Sequence, residues 1–230
     1  MKHKEQIRSR ILEINHQFIA ANKPAGMPVQ ADPTGDHSLL ELLNEYARQE
    51  LFLINRLDRP VSGVVLFARK QSSASRLSQQ FADRKVTKRY LAVTENGRSG
   101  EEVLDHWIKK LPGSAKVVLC EPGEKGAQHC ELPVTWLAKT DRYSLCMLTP
   151  STGFSHQIRA QLAFSGAPIK GDVKYGARRK NKDRSIHLHA WQLEFAHPVT
   201  REKTVVTAPL PDDVLWDLFY EKGIIEKNNE

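Results

Sequence analysis

Asn55-Arg56-Leu57-Asp58-Arg59-Pro60-Val61-Ser62-Gly63 leads directly into Val64-Val65-Leu66-Phe67-Ala68, and the junction between the two stretches decides how the chain is read. Val64 to Ala68 is the longest uninterrupted apolar run in the protein, so Gly63 to Ala68 reads as a buried strand. Pro60 and Gly63 impose a tight, irregular backbone just before it. Asp58 therefore sits between two arginines at the mouth of the most apolar strand. Nearby cations keep a carboxylate ionised even where water is scarce. An ionised carboxylate is the form a nucleophile or base requires. The structural alternative is an aspartate that closes a turn or pairs with its own neighbouring arginine.

Outward from this junction the pattern is consistent. Ile11, Leu12 and Ile14, a His16-Gln17 turn and Phe18 to Asn22 predict a strand pair that stops at Lys23-Pro24-Ala25-Gly26. Ser38 followed by Glu41 predicts a capped helix in which Leu39, Leu40, Leu42 and Leu43 recur at helical spacing. A helix over 70–84 and a strand over 88–94 follow. Short runs rich in Val, Leu and Trp between Val103 and Thr149 read as hairpins. Ser155 to Ser165 reads as a helix ended by Gly166. Strands over 186–195 and 204–208, a helix over 212–222 and a frayed tail over 227–230 complete the chain. Hairpins with helices set between them imply α+β with a largely antiparallel sheet.

The 230 residues are 40% hydrophobic and 27% charged, ordinary globular usage that excludes disorder, collagen and coiled coil. No apolar run approaches the ~20 residues of a membrane helix. The N-terminus is charged with no apolar stretch after it, so a soluble cytoplasmic protein is expected. Cys120, Cys130 and Cys146 are odd in number and lack the paired spacings of zinc sites; buried free thiols are expected. The net charge of +7 is concentrated. Lys174 to Arg184 carries +5 and Arg84 to Arg89 carries +4, so the rest of the chain sums to −2. Two dense basic patches imply a polyanionic partner, nucleic acid being the commonest.

Thr152-Gly153-Phe154-Ser155-His156-Gln157-Ile158-Arg159 enters the predicted helix with Ile158 and Leu162 facing inward. Arg159 falls in the first turns, where the helix dipole disfavours a cation, so a carboxylate or phosphate partner is expected. Thr152, Gly153 and Ser155 have the hydroxyls and backbone N–H groups to bind phosphate. His187 and His189 alternate on a strand, but without a third ligand they read as satisfied strand histidines rather than a metal site. Trp107, Trp136, Trp191 and Trp216 lie in apolar runs and are expected in the core.

Together these segments resemble the RluA family of pseudouridine synthases across nearly the whole chain. Asn22-Lys23-Pro24-Ala25-Gly26 is similar to the family's KPxG stretch, and Arg56-Leu57-Asp58 with Ser62-Gly63 to its HRLDxxxSG signature. Lys88-Arg89-Tyr90-Leu91-Ala92 resembles its K-x-Y-x-A strand. Thr152-Gly153 with His156-Gln157-Ile158-Arg159 resembles TGRTHQIR, and Gly166 to Gly176 resembles GxPIxGDxxYG. Leu188-His189-Ala190 and His197-Pro198 fit the closing strand.

The resemblance implies the pseudouridine synthase fold, α+β with a mixed, mostly antiparallel central sheet flanked by helices and loops. Residues 1–230 would form a single catalytic domain with no separate N-terminal RNA-binding domain. It implies isomerisation of a specific uridine in rRNA or tRNA to pseudouridine, without cofactor or metal. Asp58 is the implied catalytic carboxylate, attacking the anomeric carbon or removing a proton from the adjacent ribose carbon. Tyr90 corresponds to the tyrosine that stacks on the base and helps remove the carbon 5 proton. A free phenol titrates near ~10, so it needs assistance or a water relay. Arg159 matches the arginine that pairs with the catalytic aspartate; at ~4 Å and an effective dielectric of ~20 that attraction is ~4 kcal/mol before desolvation.

Arg56 matches the arginine that fills the space left by the everted base, an event costing a few kcal/mol, and its planar guanidinium suits stacking and phosphate contact. Arg59, Lys88, His156, Lys174, Arg178 and Arg179 are the further RNA-binding candidates. The expected partner is a structured rRNA or tRNA stem-loop, bound with salt-sensitive affinity; no membrane is involved, and a monomer is the default. Asn55 stands where the family has His, Phe154 where it has Arg, and Ser155 where it has Thr. Loss of the cation at 154 is expected to alter a backbone contact. Two other readings compete: a non-catalytic RNA-binding or RNA-folding protein on the same scaffold, and glycosidic hydrolysis, which requires a second carboxylate.

Overall fold

The computed structural model describes residues 5, 7–114 and 116–223. In chain order the elements are β1 (Ile11–Ile14), β2 (Phe18–Lys23), α1 (Leu39–Ala47), β3 (Phe52–Leu53), β4 (Ser62–Ala68), α2 (Gln71–Ala82), β5 (Thr87–Glu95), β6 (Gly100–Lys110), β7 (Val117–Leu119), β8 (Gln128–Lys139), β9 (Tyr143–Leu148), α3 (Gln157–Phe164), a 3-10 turn (Val173–Tyr175), β10 (Leu188–Ala196), β11 (Lys203–Thr207) and α4 (Val214–Glu221). The described residues fall into two compact units, one made of those up to Lys88 with His189–Pro209, the other of those between Arg89 and Leu188 with those from Leu210 onward.

In the first unit β4 is the central strand, and all seven of its residues are buried. It pairs antiparallel with β2, Phe18 facing Ala68 and Lys23 facing Gly63. On its other side it pairs parallel with β10, Ser62 against His189 and Gly63 against Ala190. β1, β3 and β11 add antiparallel pairings to β2, β4 and β10. The core gathers Phe18, Leu66, Leu77, Phe195 and Val206, with Phe18 and Phe195 edge to face at 5.3 Å. Gln80 of α2 donates to and accepts from the backbone of Ala196, tying that helix to β10. Ser38 and Glu41 form the predicted capping box at the start of α1, each side chain bonding the other's backbone N–H.

In the second unit β5, β9, β8, β6 and β7 follow one another in antiparallel ladders. A smaller cluster of Ile108, Val117, Cys130, Ala160 and Tyr175 packs between these strands and α3. Each of these pairings except β4 with β10 is antiparallel, in line with the largely antiparallel sheet expected from the alternation of hairpins and helices.

The differences from the sequence reading are local. The helix expected from Ser155 begins at Gln157, because His156 is left-handed at φ 57° and cannot belong to it. The helix over 70–84 is shorter, 71–82, with Arg84 left-handed beyond its end. Trp136 and Trp216 are core residues, but Trp107 and Trp191 are half-buried. Trp107 faces the His129 ring rather than the interior. Cys130 and Cys146 are buried free thiols, whereas Cys120 is half-buried. His187 precedes β10 instead of sharing a strand face with His189. The expected frayed tail lies outside the described residues. No helix among the described residues is long and apolar enough to cross a membrane.

Candidate active site

The loop between β3 and β4 presents Asp58 half-buried, with Leu57 packed inward and Arg56 exposed. Its backbone is held at several points. The Asp58 carbonyl accepts from Val61 N at 3.0 Å, and the Arg59 carbonyl accepts from Gly26 N at 2.8 Å. Lys23, wholly buried, donates from Nζ to the carbonyls of Pro24 at 2.9 Å, Met27 at 2.8 Å and Arg59 at 3.1 Å. Three acceptors match the three N–H bonds of an ammonium. Burial pushes the Lys23 pKa down to about 7, and the Asp58 carboxylate works in the opposite direction.

Asn55 Oδ1 accepts from Leu66 N at 2.8 Å and so pins the loop entrance to β4. At the exit, Ser62 Oγ lies 2.8 Å from His189 Nδ1. Gly63 has φ +117°, and a Cβ there would fall 2.2 Å from the Ala190 carbonyl oxygen. The strands approach too closely for any side chain.

In the second unit Arg159 is buried in the first turn of α3 and meets a carboxylate, as its unfavourable dipole position predicts. Nε donates to Asp172 Oδ2 at 2.7 Å and Nη2 to Oδ1 at 2.8 Å, a bidentate pair. The guanidinium also lies 5.2 Å from the centre of the Tyr175 ring. Tyr175 OH accepts from Val117 N at 2.9 Å and lies 2.9 Å from His156 Nδ1. Thr152 is a correction to the phosphate-binding expectation: its hydroxyl is buried and donates to Gln157 Oε1 at 2.7 Å. Phe154 packs on the apolar cluster of Ile108, Val117 and Tyr175, so the residue replacing the family's arginine is a hydrophobic anchor. Tyr90 is half-buried on β5, opposite Leu148 of β9.

The remaining cations fall into two kinds. Arg56, Lys174, Arg178 and Arg179 are exposed. Arg59 is engaged by Asp32 at 3.2 Å, by the Thr34 hydroxyl at 2.7 Å and by Asp36. Lys88 is half-buried, and burial followed by repulsion from Arg84 pushes its pKa down to about 8. Among the described residues, exposed Asp105, His129 and Glu131 bring donor atoms within 4.8 Å of one another. Asp105 and His129 already pair there.

Sequence reasoning places Lys23 and Asp172 within motifs but gives neither a role. The signal for Lys23 is a lysine at the end of a strand whose other residues are mostly apolar. For Asp172 it is an unassigned acid thirteen residues beyond an arginine that needs one.

The family described as RNA pseudouridylate synthase matches residues 17–164. The tRNA pseudouridine synthase C of Haemophilus influenzae is 35% identical over 225 residues, spanning 88% of this chain and 94% of its own. That of Salmonella typhimurium is 32% identical over 248 residues, spanning 95% and 94%. Human RNA Pseudouridylate Synthase Domain Containing 4 aligns with a TM-score of 0.74 at 25% identity over 99% of both chains. Human RNA Pseudouridylate Synthase Domain Containing 1 shares the fold, with a TM-score of 0.73 at 23% identity, over 90% of this chain and 86% of its own.

Proposed function

The chain belongs to the RluA-type RNA pseudouridylate synthases, which are isomerases, and on that premise we propose that it converts a uridine of cytoplasmic tRNA to pseudouridine through Asp58. The observation that carries the reading is the Asp58 loop itself. A half-buried carboxylate stands on a backbone fixed by the Lys23 ammonium, Gly26 and Asn55. Such a loop keeps the carboxylate in one place without help from substrate. The choice of tRNA follows the names of the relatives.

The reaction breaks the bond from the ribose anomeric carbon to N1 and makes one to C5; C5 loses a proton and N1 gains one. Nothing is oxidised or reduced, so the isomerisation needs no redox cofactor. Asp58 starts it, by attack on the anomeric carbon or by removing the adjacent ribose proton. Tyr90 stacks on the uracil and assists departure of the C5 proton. Arg159, its Nε and Nη2 edge fixed by Asp172, is the proposed catalytic cation. Arg56 takes the place of the everted base. Residues 1–230 act as one catalytic domain.

The test uses tRNA transcripts tritiated at uracil C5. The wild-type protein releases tritium and leaves pseudouridine, whereas Asp58→Asn releases none and binds the same transcripts with unchanged affinity. Turnover by Asp58→Asn defeats the assignment. Tight binding by the wild type without pseudouridine would make the protein a non-catalytic RNA binder, and free uracil would make it a hydrolase.

A further inference from the structure

Arg178, Arg179, Lys180, Lys182 and Arg184 are all exposed on the segment between the 3-10 turn and β10. Like charges on an irregular segment repel and favour a spread of conformations. This segment is nevertheless tied down from within, by Asn181. Its Oδ1 accepts from Lys170 Nζ at 2.6 Å. Its Nδ2 donates to Ser185 Oγ at 3.1 Å and lies 3.1 Å from His187 Nδ1. The amide orientation follows from Lys170, which has only donors to offer.

His187 is buried, stacks on Trp216 at 5.5 Å, and places Nε2 3.0 Å from Asp213 Oδ1, the side chain that caps α4. The Asn181 carbonyl accepts from Arg184 N at 3.1 Å. At the other end of the segment Glu95 accepts the Arg178 backbone N–H at 3.1 and 3.2 Å. Beneath Asn181 lies Gly171, where a Cβ would approach the amide to 2.7 Å, so the anchor occupies a site only glycine leaves open.

We infer that Asn181 is a positioning residue for RNA: it locks the basic segment in one arrangement so that its cations meet the phosphate backbone already ordered. The inference rests on the RNA synthase reading above and adds to it where part of the binding strength comes from. Ordering flexible cations at the moment of binding weakens affinity, and a preformed array avoids that loss.

Asn181→Leu keeps the net charge while removing every side-chain hydrogen bond of the anchor. With tritiated tRNA transcripts, KM should rise about tenfold and kcat stay within about twofold, as befits lost preorganisation. The salt dependence of binding should keep its slope, because no cation is removed. Amide exchange across 177–185 should quicken while that of the β-ladders is unchanged. Should Asn181→Leu fail to fold, Asn181→Ser carries the same expectation. The companion variant Arg178→Ser with Lys180→Ser should flatten the slope by roughly 0.7–0.9 for each phosphate no longer neutralised.

If Asn181→Leu matches the wild type while the companion variant binds weakly, Asn181 has no positioning role and the RNA reading stands. A fall in kcat alone at unchanged KM also overturns the inference. If the companion variant binds tRNA with wild-type affinity and slope, the segment is no RNA surface and the inference falls with it. Loss of turnover in Asp58→Asn remains the separate test of the catalytic reading.

Discussion

Lys23 is retained inside the first unit because carbonyls from two segments converge on its ammonium. One of them belongs to Arg59, directly after the proposed catalytic aspartate. Replacing Lys23 with methionine preserves length and packing but leaves three carbonyls unmet. Breaking such a buried charged contact costs roughly 3 kcal/mol, which for a protein of this size lowers the melting temperature by about 6–12 °C. Lys23→Met should therefore melt early in calorimetry, and its kcat should fall because the Asp58 loop loses a tether. A melting temperature within a degree or two of wild type would refute this account. Arg159 carries a related lesson. Its position at the start of a helix predicts an anion beside it, and Asp172 supplies one. The identity of that anion emerges only when the folded chain brings residues 159 and 172 together.

The β4–β10 pair explains at the level of elements why a glycine follows Ser62. In the sequence Gly63 reads as the end of an irregular turn and the start of a buried strand, with no partner that would require a glycine. In the fold it has φ +117° and lies against the Ala190 backbone, where β4 pairs parallel with β10. Gly63→Ala should destabilise by about 3 kcal/mol or more, combining a disfavoured backbone conformation with a clash that backbone atoms cannot relieve. Urea unfolding measures this directly; a loss below about 1 kcal/mol would mean the strands can move apart. Most elements themselves were legible. The capping box at Ser38 and Glu41, the strand over Val64 to Ala68 and the β8–β9 hairpin depend on neighbours close in sequence, whereas β6 reaches β8 across as many as 36 residues, from Gly100 to Trp136. The start of α3 was not legible, because the left-handed conformation of His156 arises where its ring meets Tyr175, nineteen residues later.

For the whole molecule, acid should be more damaging than the carboxylates alone would make it. His189 is completely buried beside Ser62, and desolvation holds its pKa down at about 4, against about 6.5 for a free imidazole. Between those values the unfolded chain binds a proton that the native protein refuses, so stability falls as pH drops. This group accounts for about 2 kcal/mol of loss between about pH 7 and about pH 5. The His187 pKa is also lowered by burial, with the same sign. Unfolding free energies at the two ends of that range should differ accordingly, and His189→Gln should reduce the difference. An unchanged slope in that variant would assign the acid sensitivity elsewhere.

By itself the sequence already specified its strands and helices, the charge-rich loop around Asp58 and two basic segments, since each follows from periodicity, capping or local charge. Tertiary structure alone decided which partners the buried polar groups take: carbonyls for Lys23, Asp172 for Arg159, Lys170 for Asn181. The physical reason is that a buried polar group must be satisfied at hydrogen-bond distance. Such distances depend on strand register and loop closure, which no stretch of neighbouring residues encodes.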